Sequence, residues 1–304
     1  MTNKSEISEI IYQLNNVLLD KSLVIKLTMT CLLARGHLLL EDLPGMGKTT
    51  LASAVAQLIG LDYKRVQFTS DMLPADLIGM SIFDQNKKEF SFKEGPVFTQ
   101  LLLADEINRG SSRTQSALLE AMAEYQVSVD KITYKLPQPF FVIATQNPQD
   151  QSGTFVLPES ELDRFTMRLE IGYPSREAEK LMLQNALQKV ELKPILSVKR
   201  LLEIQNEVDQ VKVSDTAMNY LLDLVTTSRN AGKIPNPLSP RASKALLACA
   251  RAWAYIEQRS YVLPDDLQAV FPYVAEHRMR RGIGAIGSNN SLSRMILEIA
   301  EPLK

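Results

Sequence analysis

The chain has 304 residues, of which 45% are hydrophobic and 23% charged, and its 34 basic and 35 acidic side chains leave a formal net charge of -1. That profile excludes a disordered or collagen-like chain and lacks the basic excess of a dedicated nucleic-acid binder. Two cysteines, Cys31 and Cys249, in apolar surroundings read as reduced buried thiols, and with only two histidines the chain has no spacing for a structural zinc site.

In chain order, helical periodicity opens the sequence. Ile7, Ile10, Ile11, Leu14, Val17 and Leu18 share one face of a helix expected over Ser5 to Leu19, and a second is expected over Ser22 to Arg35. The start, Met1 to Glu9, has no apolar segment of signal-peptide type. The longest unbroken apolar run, Ala245 to Ala250, is too short to span a bilayer, so a cytoplasmic location without membrane insertion is expected.

Short apolar runs then alternate with helical stretches: Gly36 to Glu41, Tyr63 to Phe68, Leu101 to Glu106, Phe140 to Thr145 and Met167 to Ile171. Runs of this length separated by helices predict an α/β fold with a mostly parallel sheet, whose buried strands are nearly continuous in apolar residues. Met80 to Gly95 and Gln126 to Pro137 carry alternating residues round Asp84-Gln85-Asn86-Lys87 and Asp130-Lys131 turns, and read as inserted β-hairpins.

Beyond Gly172-Tyr173-Pro174-Ser175 the strand signal stops. Arg176 to Val190, Val198 to Val208, Asp215 to Arg229, Pro240 to Gln258 and Asp265 to Arg278 read as helices, with Ser239-Pro240 a capped start. Two domains are expected, 1–172 and 173–304, the second all-α. The first carries 16 basic and 21 acidic residues and the second 18 and 14, or -5 and +4, which suggests complementarity between domains or subunits.

The strongest chemical signal is Asp42-Leu43-Pro44-Gly45-Met46-Gly47-Lys48-Thr49-Thr50, between an apolar strand and a helix over Thr50 to Ile59. A strand, a glycine-bearing loop, Gly-Lys-Thr and a helix N-terminus form a P-loop, whose backbone N–H groups face phosphates. Lys48 would reach the β and γ phosphates, and Thr49 would ligate Mg²⁺. The strict pattern has glycine where Asp42 stands.

Leu101 to Glu106 is an apolar strand ending in two acids, beside the place where ligands of open α/β sheets collect. Asp105 would hold Mg²⁺ through its water shell, and Glu106 would take a proton from an attacking water. A third strand ends at Gln146-Asn147-Pro148, where the Asn147 amide could orient that water or simply begin a turn.

With these residues in order, the chain resembles an AAA+ ATPase of the MoxR family, in the helix-2-insert clade related to magnesium chelatase ATPase subunits. The resemblance spans Asp42 to Thr49, Leu101 to Arg109, Thr114 to Met122, Ala144 to Pro148, Leu157 to Phe165 and Ser239 to Ala242. It implies a P-loop core with a helical lid, ATP and Mg²⁺ as ligands, and a ring homo-oligomer, a hexamer. By the same resemblance Asn147 matches sensor 1. Arg164 matches an arginine finger that enters a neighbour's site, where a guanidinium neutralises transition-state charge. Arg241 matches sensor 2, acting in its own or a neighbour's site. The hairpins match the helix-2 and pre-sensor-1 inserts, which line or cap a pore and contact clients, and family members act as chaperones with von Willebrand factor A domain partners.

Residue by residue, the competing readings are a surface salt bridge of Arg164 with Asp163 or Glu161 and a charged helix start for Arg241. His37 and His277 read as structural or exposed. Arg278, Arg280 and Arg281 read as stabilising a helix end. Trp253 and Tyr255 read as lid core. At the level of function, the rivals are a nucleic-acid-dependent motor, against which near-neutral charge weighs, and a monomeric P-loop kinase, which would leave Glu106 and Arg164 without a task.

Overall fold

A computed structural model describes residues 3–85, 88–147, 154–155, 157–184, 191–232, 234–280 and 291–300. Asn86 and Lys87 of the first hairpin's turn, Pro148, residues 185–190 of the helix expected to reach Val190, and Arg281 lie outside the described residues.

Two helices, α1 (Asn3–Val17) and α2 (Ser22–Leu33), lead into strand β1 (Leu38–Glu41), the phosphate-loop segment and α3 (Lys48–Ile59). Next come β2 (Tyr63–Gln67), the short α4 (Pro74–Ile78), the hairpin β3 (Gly79–Asp84) and β4 (Glu89–Glu94), and β5 (Leu101–Asp105). A 3-10 turn (Ile107–Arg109) precedes α5 (Ser112–Glu124), the hairpin β6 (Gln126–Val129) and β7 (Ile132–Lys135), β8 (Phe141–Gln146), α6 (Glu159–Leu162) and β9 (Met167–Leu169).

The five core strands pair in parallel in the order β2-β5-β8-β1-β9. Side chains alternate across a strand, so the central strands β1, β5 and β8 serve two cores. Leu38, Leu40, Leu101, Leu103, Phe141 and Ile143 pack on one face with α1, α2, α3 and the C-terminal helices. Leu39, Leu102, Ala104, Val142 and Ala144 pack on the other with α5 and the hairpins. Burial on both faces is why these runs are continuously apolar.

The second half holds α7 (Arg176–Leu183), α8 (Val198–Asp209), α9 (Asp215–Asn230), α10 (Pro240–Ile256), α11 (Pro264–Met279) and α12 (Leu292–Ile299). It is not wholly helical: β10 (Lys212–Val213) and β11 (Tyr261–Val262) form a two-residue parallel pair, too short to leave a periodic signal. Serine caps recur: Ser111, Ser175, Ser197, Ser214, Ser239 and Ser291 each accept from the backbone N–H three residues on. Each such cap contributes about 1 kcal/mol. Helices α4, α6 and α12 are not expected from periodicity; α4 and α6 are only five and four residues long.

Helices α1 and α2 join the core of the second half. Lys26 of α2 lies 3.9 Å over the Trp253 ring and pairs with Glu257, tying α2 to α10. Tyr255 is buried and its hydroxyl donates to Glu207 at 2.5 Å. Cys31 and Cys249 are free and buried, and burial pushes both thiols up, Cys249 to about 12. Among the described residues, no helix is long and apolar enough to cross a membrane.

Candidate nucleotide site

The loop after β1 turns through Gly45 (φ +86°) and Gly47 (φ +90°), left-handed conformations that cost a side-chain-bearing residue free energy. A Cβ on Gly47 would also meet Leu18 Cδ1 at 3.0 Å, so the corner between α1 and α2 lies against the loop. Gly47 is the N-terminal cap of α3, and Thr49 and Thr50 stand exposed in its first turn. Lys48 is buried, its Nζ donating to the Asp42 carbonyl at 2.7 Å. Burial lowers its pKa, while Asp42, Asp105 and Glu106 act the other way. A desolvated ammonium facing three acids and an open helix N-terminus is suited to anionic oxygen.

Sheet register supplies the rest. Gln67 lies opposite Asp105, and Glu41 opposite Gln146, so the ends of neighbouring strands present polar groups in one row. Thr145 Oγ1 donates to Asp105 Oδ1 at 2.6 Å and accepts from the Glu106 amide at 2.9 Å. Arg65 holds the other oxygen of Asp105 through Nη2 (2.6 Å) and Nε (3.1 Å). Glu106 leaves the strand with φ +55°, a conformation that costs a non-glycine residue and turns it out of the strand direction. Its Oε2 accepts from Gln67 Nε2 at 2.9 Å and pairs with Arg109 Nε at 3.0 Å. Asn147 follows directly, half-buried at the end of β8.

At Glu41 this row meets a buried ion pair. Glu41 and Arg168 are each 3% exposed at the side chain and in contact, with Gln146 donating to Glu41 and Glu170 lying 3.6 Å from Arg168. Burial outweighs Arg168 and pushes the Glu41 carboxyl up to about 6.

Arg241 belongs to a second cluster, built round Asp163, and Arg164 is the next residue in the chain. Arg164 Nη1 donates to the Leu119 carbonyl of α5 at 2.6 Å. Arg241, in the first turn of α10, is largely exposed and lies 3.9 Å from Asp163 Oδ2. Arg278 departs from the helix-end reading. It is buried, and besides the Val274 carbonyl of its own helix it donates to Asp163 Oδ1 (2.7 Å) and to the carbonyls of Asp163 (3.2 Å), Phe165 (2.7 Å) and Thr166 (3.1 Å). Burial lowers its pKa and Asp163 opposes this. His277 Nε2–H donates to the Phe165 carbonyl at 3.1 Å. Helix α11 therefore grips the segment that carries Arg164.

His37 is structural. Its Nδ1 accepts from the Val142 amide at 3.1 Å and its Nε2–H donates to the Met122 carbonyl at 3.1 Å, which burial enforces by pushing its pKa down to about 4. Thr145, Arg65, Gln67 and Arg168 carry no signal of their own in the sequence; only cross-strand register gives them partners, and only distant packing sets Arg278 apart from its neighbouring arginines.

Comparison with known proteins adds descent to this geometry. Residues 37–167 match the profile of the ATPase family associated with various cellular activities (AAA), and residues 227–291 that of the AAA lid domain. The uncharacterized protein YeaC of Bacillus subtilis (strain 168) is 45% identical over 269 residues, 88% of this chain and 84% of its own. Chaperone MoxR1 of Mycobacterium tuberculosis is 35% identical over 306 residues, 96% of this chain and 81% of its own. The crystal structure of a proposed ATPase from Cytophaga hutchinsonii superposes with a TM-score of 0.88 at 36% identity, covering 99% of this chain and 95% of that one. At these identities over most of its length, and with the AAA core and lid both matched in order, the chain belongs to the MoxR family of AAA ATPases.

Proposed function

We propose that the chain hydrolyses ATP with Mg²⁺ at the ends of β1, β5 and β8 and uses the energy to remodel or mature a partner protein, as a chaperone does. The observation that carries this reading is the loop itself: Gly45 and Gly47 turn it, Lys48 Nζ rests on the Asp42 carbonyl at 2.7 Å, and Asp105 and Glu106 end a strand of the same sheet. In it, Asp42 to Thr50 line the phosphates, with Lys48 exchanging the Asp42 carbonyl for phosphate oxygen. Thr49 and Asp105 offer a hydroxyl and a carboxylate, hard oxygen donors that suit Mg²⁺, and they would hold it. Bound there, the ion would neutralise phosphate charge as the terminal phosphoryl group leaves. Glu106 Oε2 receives the proton of the attacking water, and Asn147 orients that water.

Arg164 acts on the site of a neighbouring subunit in a ring, a hexamer, after leaving the Leu119 carbonyl. Arg241 completes a site from the first turn of α10. Residues 1–172 serve as the ATPase core and 173–304 as the lid, a division supported by profile matches falling on either side of it. The hairpin β3–β4 exposes Met80, Ile82, Phe83 and Phe90, with the two aromatic rings 5.2 Å apart, which favours contact with an unfolded client segment. A von Willebrand factor A domain protein is the partner the family resemblance implies, and a cytoplasmic location follows the same reading.

ATPase rate per subunit against protein concentration tests this, for wild type, Glu106→Gln, Arg164→Ala and a mixture of the two variants. Specific activity that rises with concentration, two inactive variants and a partly active mixture are expected. Concentration-independent turnover with Arg164→Ala unimpaired would refute the shared site.

A further inference from the structure

Asp42 stands where a strict P-loop has glycine, and its backbone does only what a glycine backbone could. Its N–H donates to the Gln146 carbonyl at 3.2 Å, extending the β1–β8 ladder, and its carbonyl accepts from Lys48 Nζ at 2.7 Å. What the side chain adds is elsewhere. The carboxylate accepts from the Ile171 amide and from the Gly172 amide at 3.1 Å, two successive N–H groups just past β9. There the chain leaves the sheet for the C-terminal helices. Gly172 turns it with φ +69°, and α7 begins four residues later. A Cβ on Gly172 would meet nothing nearer than Lys21 Nζ at 4.0 Å, so this glycine answers the backbone angle and not crowding.

We infer that Asp42 is a positioning residue that couples the phosphate loop to the segment at Ile171–Gly172, so that nucleotide in the loop is felt by the C-terminal helices. The inference rests on the reading of this loop as the nucleotide site. Phosphate competes with the Asp42 carbonyl for the Lys48 ammonium. Once that carbonyl is released, the residue's backbone is free to shift, and a carboxylate bonded to two adjacent amides carries the shift into the connection. A glycine at 42 would leave the loop intact and the two amides without this acceptor.

The test uses the full chain with spin labels at Glu120→Cys on α5 and Asp223→Cys on α9, both exposed, while the native thiols are buried. Label distances are measured with and without Mg²⁺ and the non-hydrolysable analogue AMP-PNP, in wild type, Asp42→Gly, Asp42→Asn and Lys48→Ala. Wild type is expected to shift on adding AMP-PNP. Measured at saturating nucleotide, Asp42→Gly should show no shift and lose about tenfold or more in kcat. Asp42→Asn keeps one acceptor oxygen and should recover part of the shift. If Asp42→Gly does not fold, a full wild-type shift in Asp42→Asn overturns the inference. So does an unmoved wild type, a full shift in Asp42→Gly, or loss of mant-ATP binding in Asp42→Gly matching Lys48→Ala. Wild-type nucleotide binding by Lys48→Ala would instead remove the nucleotide-site reading, and the inference with it.

Discussion

His37 lets a pH effect be worked from geometry. Its ring is buried between β8 and α5, edge-on to Phe140 with centroids 5.8 Å apart, and both nitrogens are committed: Nδ1 as acceptor, Nε2–H as donor. A proton on Nδ1 would set a donor against the Val142 N–H, so the folded chain keeps the ring neutral to about 4, against about 6.5 when unfolded. The sign follows. Below the unfolded value the unfolded state binds the extra proton, so the stability His37 contributes is present above about pH 6.5 and lost as pH falls toward about 4. The full shift corresponds to about 3 kcal/mol. His37→Asn keeps an acceptor for Val142 and removes the titration. Urea unfolding followed by Trp253 fluorescence, from about pH 7.5 to about pH 4.5, should find wild type more stable at neutral pH and the two curves converging by about 2–3 kcal/mol on acidification. Other titrating groups, the buried His277 among them, are common to both proteins and cancel. Curves that stay parallel over this range would refute the reasoning.

Three further outcomes are expected. Arg168→Met leaves Glu41 buried without its cation and should cost about 3–5 kcal/mol in urea unfolding at neutral pH. Since Glu41 favours its proton below about pH 6, that loss should shrink on acidification, and adding Glu41→Gln should recover much of it. Thr145→Val preserves shape but removes the donor to Asp105 and the acceptor of the Glu106 amide. It should cost about 1–3 kcal/mol and lower kcat while mant-ATP affinity holds. Arg278→Met releases the segment bearing Arg164 without touching Lys48 or Glu106. Its ATPase activity should be lost, yet return in part when its subunits are mixed with Glu106→Gln subunits, whose Arg164 is intact.

Legibility in the sequence followed locality. The core strands were readable because burial on both faces makes them unbroken apolar runs such as Leu101 to Ala104, and the loop because Gly45 to Thr49 are contiguous. The hairpins announced themselves through alternation: Phe92 turns inward to stack on Tyr134 at 4.0 Å, while Phe90 on the same strand face nearer the tip stays exposed. What stayed hidden depends on partners distant in sequence. Thr145 matters through Asp105 on the neighbouring strand, Arg168 through Glu41, and Arg278 through Asp163, which lies 115 residues before it. From the sequence, Arg278 is one of several arginines near a helix end, and nothing local distinguishes the buried one from Arg280, which pairs with Glu276 of its own helix.

The packing of α2 on α10 has a consequence during synthesis. Ile25, Met29 and Leu32 are buried in a core completed by Leu246, Cys249 and Ala250. Between the end of α2 at Leu33 and the start of α10 at Pro240 lie roughly 200 residues, about 10–40 s of translation at about 5–20 residues per second. Through that interval the parts of these helices that Leu246, Cys249 and Ala250 cover stay open, although α3 and the strands already supply the rest of their core. The five-stranded sheet can pair before them, but the side of it facing α1 and α2 closes only when the last third of the polypeptide emerges. The ATPase half of the molecule therefore reaches its final packing near the end of synthesis, and cellular folding factors have their longest access at the amino-terminal helix pair.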